Sequence, residues 1–219
     1  MKPPRRPLTI LLAALPIAVW GLGVSCATQP RAATLPARSL AGLVGQPLII
    51  LPIRYLRPAD SPGWAGQVGD PRAFLGRVDD ELAFAVRSRG ITGPWTWPEE
   101  LARAAQRNPL HATDPYQIAA EALRPGPRQR PSEVSDPLAS QLRSLIALRD
   151  ARFALVPVEV RFESRGGGTG RAVLHVALVD ARLARVTWSG EVASDSAAAL
   201  SPALPVSLAE RFADLFAAR

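Results

Sequence analysis

The apolar run Leu48-Ile49-Ile50-Leu51-Pro52-Ile53 is uninterrupted, which suits a strand buried on both faces, and a loop holding Pro58, Pro62, Gly63 and Gly66 follows it. Asp70-Pro71 then offers an N-cap and a proline at the first helical position. Phe74, Leu75, Val78, Leu82, Ala85 and Val86 recur at three- and four-residue intervals, predicting a helix that Gly90 ends in the left-handed conformation. Residues 91–97 read as a short strand. Thr96 with Glu99 reads as a capping box for a second helix to about Gln106, and Asp114-Pro115 with Gln117 as the start of a third, to about Leu123. Prolines at 125, 127 and 131 with Gly126 make 124–135 an exposed, mobile loop. Asp136-Pro137 starts a further helix that turns Leu138, Leu142, Leu145, Ile146 and Ala147 inward.

After Asp150 the period falls to two. Phe153, Leu155 and residues 158–162 give one strand, 171–180 a second and 185–193 a third, joined by Gly166-Gly167-Gly168-Thr169-Gly170 and by 181–184. Leu204, Leu208, Phe212, Leu215 and Phe216 form the stripe of a closing helix. This order predicts an α+β fold: a mixed sheet with a C-terminal three-strand antiparallel meander, helices packed on it, and a helix at the C-terminus.

The N-terminus has another character. Lys2, Arg5 and Arg6 precede the apolar stretch from Leu8 to Leu22, then Gly23-Val24-Ser25 and Cys26, the only cysteine of the 219 residues. Basic, apolar and small segments in that order make a secretory signal peptide. Pro16 and a length short of the ~20 residues of a membrane span argue against a spanning helix. The segment around Cys26 resembles the lipobox of bacterial lipoproteins, matching at Ser25 and Cys26, with Gly23 where leucine is usual. The resemblance implies cleavage after residue 25, a diacylglycerol on the Cys26 thiol and a further acyl chain on its amine, which together hold a protein on the bilayer. An ordinary cleavage site followed by a free or buried cysteine is the other reading. Ala27 and Thr28 bring no acidic residue that would retain a lipoprotein at the inner membrane, so the expected address is the outer membrane, facing the periplasm.

Residues 26–46, with Pro, Ala and Thr and little apolar periodicity, read as the lipidated cysteine and a flexible tether, and 47–219 as a single periplasmic domain. Without Lys2, Arg5 and Arg6 the 26 cations become 23 against 19 acids, so the mature chain is near +4 and not +7. Its arginines occur singly. That pattern is a solvated surface and not a phosphate-tracking groove, and no nucleic-acid partner is expected.

The apolar strand ending in Leu51-Pro52-Ile53, the helix ending at Gly90, the entry Asp150 to Val156, and Leu178-Val179-Asp180 leading to Val186-Thr187-Trp188 look like a recurring periplasmic domain. It is similar to the curli-secretion-channel lipoprotein, to penicillin-binding-protein activator lipoproteins and to the N-terminal domain of the Tol-Pal translocation protein. The resemblance covers roughly 47–217 and implies a binding or assembly module. Residues 124–135 are too short and proline-rich for the hairpins of a secretion barrel, so a pore is not implied.

Candidate chemistry is sparse. Gly166 to Gly170 has the composition of a phosphate cradle but lies between strands, whereas such loops open a helix. His111 reads as an accessible loop residue and His175 as a packed or half-exposed strand residue; with Cys26 acylated, no metal site is expected. Asp79-Asp80-Glu81 and Glu99-Glu100 read as solvated or helix-dipole acids. No catalytic residue and no cofactor are assigned. The tryptophans are the remaining signal: Trp64 in a glycine- and proline-rich loop, and Trp95 and Trp97 on one side of a strand, are candidates for contact with a partner, Trp64 foremost, against core packing as the alternative. The expected function is a lipid-anchored, non-enzymatic envelope protein that binds another envelope protein or polymer in assembly or transport. The alternative is a small-ligand carrier with an apolar pocket between sheet and helices.

Overall fold

A computed structural model describes residues 40–58, 61–125 and 132–217. Six strands form one mixed sheet: β1 (Leu48–Ile50), β2 (Tyr55–Leu56), β3 (Trp95–Thr96), β4 (Phe153–Gly166), β5 (Thr169–Asp180) and β6 (Arg185–Ala193). Four helices pack on it, α1 (Pro71–Ser88), α2 (Pro98–Gln106), α3 (Leu138–Ala147) and the C-terminal α4 (Ala203–Ala213). The sheet order is β3-β1-β4-β5-β6, parallel from β3 to β4 and antiparallel from β4 to β6. The α+β class and the closing meander are those the sequence predicts.

Alternation along the central strands divides the core in two. Leu48, Ile50, Leu155, Leu174 and Val176 face α1 and α4, while Ile49, Leu51, Ala154, Val156 and Val179 face α2 and α3. That two-sided burial is why the apolar run at β1 is continuous. The core also reaches upstream of the expected boundary. Leu40 and Leu43 are buried, and the Leu40 amide donates to the Leu215 carbonyl at 2.6 Å, so 40–46 is part of the fold and not tether. Cys26 and residues 126–131 lie outside the described residues.

Local chemistry explains most element boundaries. The Asp70 carboxylate accepts from the Arg72 amide at 2.9 Å and caps α1. At its far end Gly90 takes φ 67°, the Gly90 amide bonds Arg87 and the Ile91 amide bonds Val86, closing a Schellman motif. In the β4–β5 hairpin Gly167 and Gly168 both have positive φ (60° and 74°), as a two-residue turn matched to strand twist requires.

Two expected caps are corrected. Thr96 belongs to β3 and its hydroxyl accepts from Arg149 Nε at 2.9 Å; because Pro98 forces the residue before it into an extended conformation, Trp97 is the N-cap of α2 and donates no side-chain cap. Asp114 does accept from the Tyr116 amide, but the turn it opens is a 3₁₀ turn, Pro115–Gln117, followed by a second at Ala120–Leu123 instead of one helix.

β2 continues β1 along the same side of β4. Leu51 donates to Leu155 and Arg57 to Val160, while in the gap the Ile53 amide turns outward and is received by both carboxylate oxygens of Asp79 on α1, each at 3.2 Å. Asp79 is therefore half-buried and bonded, not a solvated acid as expected. Burial pushes its pKa up to about 8. The sign follows: between about pH 4 and pH 8 the unfolded chain loses this proton while the folded one keeps it, so the stability it confers is complete below pH 4 and is lost as pH rises to 8. Asp79→Asn keeps an oxygen for Ile53 and removes the titration. We expect its melting temperature relative to wild type to climb between pH 5 and pH 8, by roughly 5 °C, for a discounted penalty of about 1–2 kcal/mol; parallel pH profiles would refute it.

Candidate functional site

The three tryptophans singled out in the sequence separate in the structure. Trp64 is 5% exposed and meets Phe162 edge-on at 5.8 Å, so its ring is core, and the expectation that it is the most accessible of the three is reversed. Trp95 is 8% exposed; it packs on Phe216 at 4.8 Å, and its indole N–H donates to the Leu43 carbonyl at 3.4 Å. Trp97 is half-buried, with the Arg87 guanidinium 5.3 Å from its ring, and of the three it alone presents an edge to solvent.

A fourth tryptophan lies in a more exposed setting. Trp188 sits half-buried on β6, and a Cβ at Gly190 would come within 2.7 Å of its ring, so the glycine is what lets the indole lie along the strand. β6 is the outer strand of the meander. The Ser194 amide donates inward to Ala172, and ladder alternation then turns the amides of Ser189, Glu191 and Ala193 away from β5. Among the described residues nothing receives them. Among the described residues the start of the edge is covered, where Val186 donates to Ser132 and Val134 to Ala184. Trp188 was legible in sequence only as a strand residue. The signal that could have marked it is the Trp-Ser-Gly spacing on a strand with no further strand after it.

Inside that edge the sheet carries an ionic ladder. Register places Tyr55, Glu159, His175 and Glu191 in one row across β2, β4, β5 and β6. Arg161 reaches Glu191 with both terminal nitrogens, at 3.0 and 2.9 Å, and also holds Glu163 at 2.6 Å, while Arg171 holds the other Glu163 oxygen at 2.9 Å. Burial works against ionised Glu163, yet the bonds from Arg171 and Arg161 keep it below the usual carboxylate range. Burial holds His175 below its ordinary value, and its Nδ1 is buried without a partner. His111 is exposed, as expected.

The row does not converge on a reacting atom. Its carboxylates are each engaged by arginine, and among the described residues no group of three or more His, Cys, Asp or Glu is arranged to hold a metal. Among the described residues no helix is long and apolar enough to cross a membrane.

No protein-family model matches this chain, and no curated protein does. Solved structures with some likeness include the LpoB C-terminal domain from Escherichia coli, at 12% identity and a TM-score of 0.37 over 73% of this chain and 97% of that one. A PelC dodecamer from Paraburkholderia phytofirmans is 13% identical, with a TM-score of 0.38 over 80% and 90%. The NMR structure of E. coli LpoB is 12% identical, with a TM-score of 0.33 over 90% and 88%. The likeness is weak and at the level of fold, and it identifies no ligand or partner for this chain.

Proposed function

We propose that this chain is a non-enzymatic lipoprotein of the bacterial envelope, acylated at Cys26 and facing the periplasm from the outer membrane, that binds another envelope protein by accepting a strand along β6. The outward amides of Ser189, Glu191 and Ala193 beside the half-buried Trp188 carry this reading. An unpaired edge with an aromatic anchor is what strand addition uses: main-chain bonds supply affinity and side-chain pockets supply selectivity. The arginine-bound carboxylates of the neighbouring row support a recognition surface over an acid–base centre.

Ser189→Pro tests it. Proline removes a donor that the fold does not use, and edge strands tolerate it on the solvent side. We expect unchanged secondary structure, a melting temperature close to wild type, and loss of the specific partner recovered from crosslinked envelopes by the wild type. Gly190→Pro, which removes an inward donor, should unfold the meander. A partner captured equally by Ser189→Pro would refute strand addition. The anchor is checked separately: Cys26→Ser should leave the protein in the soluble periplasmic fraction, and full retention on membranes would refute acylation.

A further inference from the structure

We infer that two copies of this chain pair about a two-fold axis across α1, the Phe84 of each filling a pocket of the other. Phe84 lies 67% exposed on the outer flank of α1. A pocket of about 280 Å³ opens on the same flank where α1 meets the start of α4, walled by Val68, Phe74, Leu200, Pro202 and Pro205 among others and edged by Arg77 and Glu81. At roughly 30 Å³ for each heavy atom, the share of a water in the liquid, it takes about nine atoms, enough for a benzyl group. Every residue lining it is among those described.

A lone exposed phenylalanine or a lone surface hollow would carry no argument. Here the two are spaced for one another. From Arg77, at the pocket rim, to Phe84 is one heptad, so their side chains leave α1 within about 20° of one direction and about 10 Å apart along its axis. Phe84 therefore cannot reach the hollow of its own copy, whereas two α1 helices laid antiparallel, with the axis level with Asp80 and Glu81, bring each ring to the other's hollow. The charges obey the same symmetry. Arg77, Asp80 and Glu81 have no ion-pair partner among the described residues, although Arg77 and Glu81 stand one turn apart. Across the axis Arg77 of each copy comes within reach of Asp80 and Glu81 of the other. Knob, hollow and opposite charges on a single patch are what a self-complementary contact requires. Val206, next to Pro205 and 42% exposed, widens the apolar part of that patch. One helix and one pocket from each copy make a small interface, so roughly micromolar affinity is expected. The contact draws on neither β6 nor Cys26 and stands or falls apart from the proposed function.

The test is sedimentation equilibrium of the full chain, purified from envelopes in density-matched non-ionic detergent with micelles in excess of protein. Wild type should pass from monomer to dimer as its concentration rises. Phe84→Ala, at an exposed position that the fold does not need, should weaken the dimer at least tenfold. Arg77→Glu and Glu81→Arg should each do the same, since each sets like charges across the axis. Mixed in equal amounts, those two variants should regain the wild-type affinity as a heterodimer, because each exchanged charge then meets its opposite on the other copy. Misfolding cannot produce that rescue. A wild-type chain still monomeric at about 100 µM, a dimer indifferent to Phe84→Ala, or a mixture as weak as its components would each overturn the inference. So would a photo-cross-linker at position 84 that, in intact envelopes, links to a different protein and not to Val68, Phe74 or Leu200 of a second copy.

Discussion

Replacing Trp64 with alanine is expected to destabilise the domain by about 3–5 kcal/mol, the range for emptying a large aromatic site in a packed core. The ring is 5% exposed, meets Phe162 edge-on, and belongs to the core cluster that joins α1, α4 and the sheet. Its far edge is fitted against Gly170: a Cβ there would lie 2.8 Å from the indole and 3.2 Å from the Glu163 carbonyl. Relaxation around the void is thereby limited, because one wall is backbone. For a domain of this size the loss corresponds to a drop of roughly 10 °C in melting temperature. Gly170→Ala should destabilise from the opposite side, through overpacking, by about 1–3 kcal/mol. Thermal denaturation of both variants is the check. A Trp64→Ala protein that melts with wild type would place the ring on the surface and restore it as a partner contact.

What the sequence disclosed depended on how local the cause was. Both ends of α1 were legible because a cap and a Schellman glycine act within six residues, and the meander was legible because alternation and a glycine hairpin are local patterns. Trp64 was misjudged because its pocket is built by Phe162 and Gly170, about a hundred positions away, while its own neighbours are loop residues. Asp79 looked like one acid in a solvated triplet. Yet it is flanked by Leu75, Val78, Leu82 and Val86 on the buried side of α1, and a helical wheel would have placed it at the margin of that stripe. β2 is two residues long and carries no period at all. The free edge of β6 is a property of sheet order, which alternation within a strand does not contain.

The second large effect lies at Glu159, and it is asymmetric. Its carboxylate is 1% exposed; Arg57 binds one oxygen through Nε at 2.6 Å and Nη2 at 2.5 Å, and Arg124 binds the other through Nε at 2.5 Å and again through Nη2. Arg124 is further held over the Tyr55 ring at 5.0 Å. The two guanidiniums keep about a third of their side-chain surface in water, at 36% and 38%, whereas the carboxylate keeps almost none. Removing both cations together, in Arg57→Ala with Arg124→Ala, strands a charge inside the sheet and should cost about 3–5 kcal/mol. Removing the carboxylate charge, in Glu159→Gln, frees two arginines that can turn to solvent and should cost no more than about 1 kcal/mol. Each arginine alone should cost less than half of the double variant, since the other still neutralises Glu159; that excess is the coupling a double-mutant cycle measures. Adding Glu159→Gln to the double arginine variant should recover most of the lost stability, because the stranded charge is then gone. If the triple variant is no more stable than the double, the arginine stems and not their charges hold this row together.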